Sequence, residues 1–432
     1  MNNEALQHWN NSLTGQSEGL SSTEDLFSTR RKAGVDSFQK NGFPGRRHEE
    51  WRYTSLKSLS EEGYPACLPH EGNLPEVDEL ITSSDIRIVL INGVFRKDLS
   101  DLTALPDEVR VEGFSDFRQR ANTQEIENFD RMLPLSDHPF QSLGDALLDD
   151  GLVVTAIGNT DARIHILHAY DGTDTSGSAH ITGMIHLEGG ARLEILEEFR
   201  SQGQVMGNTR WGIHVGDECT LSRQRILRPG CDVVFHGSRV EVGKAGLFQD
   251  LIAGSGSRLV RNEIHVSLNG AGGHTDLFGG YVSDGDEVVD HHTTIEHAVA
   301  DCTSREIYRG VLGGKSRGAF TGMIHVHQDA QRTDAKQSND AILLSRNSEM
   351  NTRPRLEIYA DDVKCTHGAT VGELDEGALF YLRSRGVSLE EARRMMVRAF
   401  TAEVFGEIEN EGLREQIIEQ LQAAMPASEC VT

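Results

Sequence analysis

Two side chains in this sequence carry the most suggestive chemistry: Cys365 and His367, two residues apart in Lys364-Cys365-Thr366-His367-Gly368-Ala369-Thr370. If that stretch is extended, the thiol and the imidazole point to one face. Thiolate and neutral imidazole are borderline-soft ligands suited to iron or zinc. Two ligands do not make a stable site, so a partner chain or a bound sulfur would have to complete it.

Other groups compete with this pair. Asp290-His291-His292-Thr293-Thr294-Ile295-Glu296-His297 is the densest histidine cluster, and Cys302 follows it. On a strand, His291 and Thr293 face one way and His292, Thr294 and Glu296 the other. Hydrogen bonding along a ladder of strands is the structural reading. A metal site using His292, His297 and Cys302 is the alternative. His325 and His327 share a face and invite the same two readings. Gly313-Gly314-Lys315-Ser316 resembles the end of a phosphate-binding loop but fails on spacing: three residues separate Gly310 from Gly314 where four are needed. It also lies between strand-like segments, not before a helix. Gly270-Ala271-Gly272-Gly273 is a tight corner, not a dinucleotide fingerprint. No nucleophile elbow is present. Asp286, Glu287 and Asp290 are the nearest approach to the acidic groove of a polysaccharide-acting solenoid enzyme, and no basic partner accompanies them.

The whole chain narrows the choice. Its 432 residues carry a formal net charge of -25, a field that repels nucleic acid and anionic membranes. Mean hydropathy is -0.41, and no run approaches the ~18 apolar residues of a membrane span. The polar stretch from Met1 to Leu13 lacks an export pattern. The six cysteines (Cys67, Cys219, Cys231, Cys302, Cys365 and Cys430) form no C-x-x-C pair. Reduced thiols in the cytoplasm are expected.

The elements that must position these residues fall into three regions: 1–150, 151–366 and 367–432. The first mixes helix and loop. A helical segment runs to Phe38, and Gly42-Phe43-Pro44-Gly45 starts a turn before a charged run with Trp51 and Tyr53, read as a packing anchor with a solvated face. Ile86 to Phe95 reads as two strands around Asn92-Gly93, and Phe140 to Leu148 as a helix. From Gly151 short alternating segments follow one another, separated by Gly, Asn or Asp. Only Pro229 and Pro354 interrupt them before His367. Irregular turns without hairpin signals favour a parallel β-helix over a sandwich or propeller. The last region is helical up to Pro426. Asp375 caps a helix that Gly386 stops, and Ser388-Leu389-Glu390-Glu391 opens a second. Leu389, Ala392, Met395, Met396, Ala399, Phe400 and Val404 form its apolar stripe, and Leu413, Ile417, Leu421 and Met425 form a third. Tyr381, Met395, Met396 and Phe400 are expected to cover the end of the solenoid, to receive a partner, or both.

At this point the motifs resemble the SufB/SufD family of iron–sulfur cluster assembly proteins. The C-terminal signature is Lys364 to Asp375 followed by Ala378 to Gly386. Asp290-x-His292 to His297, Thr303-Ser304-Arg305-Glu306, Tyr308 to Leu312, Asp329 to Ala335 and Leu343-Leu344-Ser345 match as well. Gly42 to Thr54 and the glycine at 368 resemble the SufD branch. The resemblance implies a right-handed parallel β-helix between helical ends and no enzymatic activity of the chain's own. It implies pairing with a SufB-like scaffold through the β-helices, with a homodimer possible when that partner is missing. A SufC-like ATPase would bind the C-terminal helices, Asp375 to Phe405. His367, with Cys365 beside it, would hold iron or a transient cluster at the SufB interface. No resident cofactor is implied, and flavin association is left open.

Overall fold

The computed structural model describes residues 25–45, 47–57, 86–406 and 408–425, with positions 9, 13–16, 59, 64, 67–68 and 72. Cys430, Pro426 and most of the first dozen residues lie outside that set. So do Glu24, Arg46 and much of 58–85, parts of the expected helix-and-loop region.

Alternation of apolar and polar residues builds the core. Strands β4 (Gly151–Ile157), β5 (Asp161–Glu188) and β6 (Arg192–Val215) start two parallel ladders. One continues through β7 (Thr220–Leu227), β9 (Leu247–Ser255), β11 (His274–Ser283), β13 (Thr303–Leu312), β15 (Thr333–Leu343) and β17 (Val363–Gly372). The other continues through β8 (Val233–Val242), β10 (Leu259–Leu268), β12 (Val288–His297), β14 (Arg317–Val326) and β16 (Glu349–Ile358). The result is the parallel β-solenoid that the alternation predicts, two strands to a coil.

The side chains between the ladders are mostly Ile, Val, Leu and Phe, all buried. Stacked coils are what allow this: each strand leaves one face apolar, and only the facing ladder can cover it. The first coils are closed by short pairings. β1 (Ile86–Ile91) runs parallel to β5 and forms an antiparallel hairpin with β2 (Val94–Phe95), as Asn92-Gly93 predicts. β3 (Val109–Gly113) lies antiparallel on β4.

Helices cover the two flanks. From the N-terminal side come α1 (Ser28–Asn41), α2 (Phe114–Arg120), α3 (Thr123–Met132) and α4 (Pro139–Ala146). Phe140 stacks on Phe235 of β8 with ring centroids 4.5 Å apart. Trp51, on a 3-10 turn at Glu49–Trp51, is buried as the expected anchor. Its ring lies 3.8 Å under the Arg261 guanidinium. Arg261 also donates to Glu50 O at 2.9 Å and to Asp290 Oδ2 at 2.5 Å, and Thr54 Oγ1 donates to the same carboxylate oxygen.

On the other flank lie α5 (Glu376–Ser384), α6 (Leu389–Phe405) and α7 (Glu411–Ala423). Asp375 and Ser388 cap α5 and α6 as their positions predict, accepting from Ala378 N and Glu391 N. Their packing differs from the expectation of an end cap. Ala392, Val397, Thr401, Val404 and Phe405 are the buried face of α6, set against Leu251, Phe278 and Val311 on the outer side of β9, β11 and β13. Tyr381 is 58% exposed and Met395 44%. The physical reason is the apolar patch that these three strands present sideways. The last strands β16 and β17 are left largely exposed.

Candidate functional site

The candidate pair sits at that uncovered end. Among the described residues β17 pairs with β15 alone, and no described strand lies beside its outer edge. Cys365 is in register with Ala335 and His367 with Gln337, both buried inward-facing residues of β15. Cys365 and His367 therefore continue the inner face of the solenoid at its open mouth, as their spacing predicts.

Their surroundings differ. Cys365 packs against the apolar group Ile324, Val326, Ala330, Ala335 and Ala360. Burial pushes its thiol above the ordinary cysteine range, Asp334 adds to this, and a backbone hydrogen bond from Ala335 opposes it. It is held as a thiol, not as a ready thiolate. His367 is exposed, and its imidazole is accessible to a ligand.

Below His367 the register defines one column through the interior: Gln337, Glu306, Leu277, Asp250 and Arg223. It is unusually polar for a solenoid core. Arg223 and Arg225 both donate to Asp250, at 2.7 Å and 3.1 Å through their Nε atoms. Burial alone would raise the Asp250 carboxyl; the two guanidinium groups outweigh it and hold it below the usual range. Arg225 also donates to Asn262 Oδ1 at 2.7 Å, and the Asn262 amide meets His291 Nδ1 at 3.4 Å. Higher up, Gln337 Nε2 donates to Glu306 Oε2 at 2.7 Å. Burial drives the Glu306 carboxyl up to about 7, and the Thr293 and Gln337 side chains offset only part of that.

The competing clusters do not converge. His291, Thr293 and His297 point inward and His292, Thr294 and Glu296 outward, as alternation predicts. His297 Nε2 pairs with Ser304 Oγ at 2.9 Å. His292 meets Asp290 at 3.1 Å on the opposite face. Cys302 Sγ donates to Gly270 O at 3.3 Å. The proposed His292–His297–Cys302 grouping is thus dismantled by the pleat. The rings of His325 and His327 lie 4.5 Å apart, and His325 meets Glu357 at 3.3 Å. Among the described residues no three His, Cys, Asp or Glu side chains are grouped to hold a metal ion. Asp286, Glu287 and Asp290 form no acidic groove either: Asp286 is exposed on a turn, while Asp290 is buried against Arg261. Among those residues no helix is long and apolar enough to cross a membrane.

Gln337 escaped the sequence reading, and Glu306 entered it only within the Thr303-Ser304-Arg305-Glu306 motif. The signal was available, since each stands one coil before the next member of the column, but the coil length varies and hides it.

A two-ladder parallel solenoid flanked by helices, with an imidazole and a thiol on its last strand, places the chain in the class of parallel β-solenoid proteins. The family comparison makes this specific. Residues 170–400 match the model described as "SUF system FeS cluster assembly, SufBD core domain" and residues 14–161 match the "SufBD protein N-terminal region". The chain belongs to the SufBD family of iron–sulfur cluster assembly proteins. It is 27% identical to the iron–sulfur cluster assembly protein SufD of Escherichia coli, over 98% of this chain and 97% of that one. It is 26% identical to a SufBD family protein of Synechocystis sp., over 90% and 89% of the two chains. A SufBD family protein of Mycobacterium bovis is also 26% identical, over 96% and 97%.

Proposed function

We propose that this chain is a SufD-like, non-catalytic subunit of a scaffold that builds nascent iron–sulfur clusters. It pairs with a SufB-like subunit through the open ends of the two β-helices, and a SufC-like ATPase docks on α5 and α6. The observation that carries the reading is the β17 edge, unpaired among the described residues, with His367 exposed on it. A bare strand edge is a template for another chain, and natural proteins rarely leave one uncovered without use. In the absence of the SufB-like partner the same edge would serve a homodimer.

His367 supplies one imidazole ligand to iron or cluster, which is the cargo of the reaction. Cys365 supplies a second only after losing its proton, which a bound metal or the partner's charge would have to favour. The remaining ligands come from the partner chain. Phe380, 73% exposed, and Tyr381 support a docking face on α5. The failed phosphate-loop spacing at Gly310 to Ser316 supports hydrolysis by another chain. The cytoplasm is the compartment this reading requires.

Co-expression with a SufB homologue and a SufC homologue tests it. A three-component complex is expected to co-purify, and His367→Ala is expected to leave assembly intact while lowering cluster loading. Normal loading on an intact His367→Ala complex would remove His367 from the site.

A further inference from the structure

His367 heads a column whose next two members, Gln337 and Glu306, are 3% and 1% exposed. The Gln337 amide is committed on one side only. Its Nε2 donates to Glu306 Oε2 at 2.7 Å, while its Oε1 is buried with no hydrogen-bond partner. Leaving a buried carbonyl unpaired is destabilising. The interior is nonetheless shaped to keep this amide in place. Across the core, on β14, stands Gly322, and a Cβ there would fall on Gln337 Nε2.

Side chains in register on neighbouring strands lie about 5 Å apart. That spacing puts Gln337 Oε1 within reach of the His367 ring through a change of rotamer. A ligating histidine almost always donates its second ring N–H to a carbonyl or carboxylate, which sets the tautomer and aims the free nitrogen. We propose that Gln337, held by Glu306, is the positioning residue of His367: Oε1 accepts the inward ring N–H and turns the other nitrogen toward the open edge. Neither residue touches the cargo; both act through the imidazole. The inference rests on the reading of His367 as a ligand given above.

Nitrogen-15 NMR of the full chain, labelled at histidine rings, tests it; the signal missing from His367→Ala identifies the ring. In the unsubstituted chain one tautomer is expected to predominate. Gln337→Leu, apolar and of similar volume, is expected to let the tautomer ratio relax. Glu306→Gln, which keeps an acceptor for Gln337 Nε2, is expected to leave it unchanged. In the complex with a SufB homologue, iron loading by Gln337→Leu is expected to fall about 10- to 100-fold at limiting iron. Should Gln337→Leu not fold, Gly322→Ala displaces the amide by one methyl group and carries the same expectation. A His367 ring with the same tautomer ratio in the folded variant overturns the proposal. If Gln337→Leu alters the ring while His367→Ala loads normally, the positioning contact stands and the ligand reading falls. If the ring is unaltered while His367→Ala abolishes loading, the reverse holds.

Discussion

Replacing Glu306 with glutamine should make this protein more stable at neutral pH, and the gain should depend on pH in a defined way. Burial moves the Glu306 carboxyl from its ordinary 4.5 up to about 7. In the unfolded chain it titrates near the ordinary value. Between those two pH values the folded chain keeps the proton and the unfolded chain has lost it. The folded state then binds more protons, so its stability falls as pH rises, by ~1.4 kcal/mol per pH unit. Below the lower value the penalty is absent; above the upper one it is complete, at about 3 kcal/mol. Glutamine still accepts from Gln337 Nε2 and cannot ionise, so Glu306→Gln removes the penalty. Urea unfolding of both proteins between about pH 4 and about pH 8 measures it. The stability difference should be near its minimum at the acid end, grow through the middle and flatten above about pH 7. Buried carboxylates with lowered values, such as Asp250, lose stability in the opposite direction but contribute equally to both proteins. A difference that is flat across the range would refute the assignment of Glu306 as a buried acid.

Three further outcomes are expected. Arg261→Ala leaves the buried Asp290 carboxylate without its main cation and removes the guanidinium from Trp51. This should cost about 3–5 kcal/mol and open the Glu49–Thr54 segment to proteolysis; unchanged cleavage would show that the anchor lies elsewhere. Gly280→Val should detach α6 and α7 from the solenoid, since even a Cβ at 280 falls on the Phe405 ring. Hydrogen exchange should then lose protection in both helices and keep it in the strands, and equal protection would sink the idea. The Cys365 thiol, raised by burial, should alkylate more slowly than free cysteine at neutral pH and speed up only in alkaline solution. A rate equal to that of free cysteine would contradict its packing against Ala335 and Ile324.

What the sequence determined by itself is what short-range physics controls. Alternation along a strand placed His291 and His292 on opposite faces, and glycine or Asn/Asp corners with few prolines pointed to a parallel solenoid. Asp375 and Ser388 announced helix starts because a cap is a hydrogen bond to an amide three residues on. The Cys365/His367 spacing predicted a shared face for the same local reason. The tertiary structure decided what depends on register between distant segments. The coils vary in length, so nothing local aligned Gln337 and Glu306 beneath His367. Trp51 found its partner in Arg261, which also binds the backbone of Glu50, 211 residues away in sequence. The helical stripe of α6 fits a flank or an end equally well. Only the apolar patch of Leu251, Phe278 and Val311 drew the helices to the flank, and that choice left the strand bearing His367 exposed.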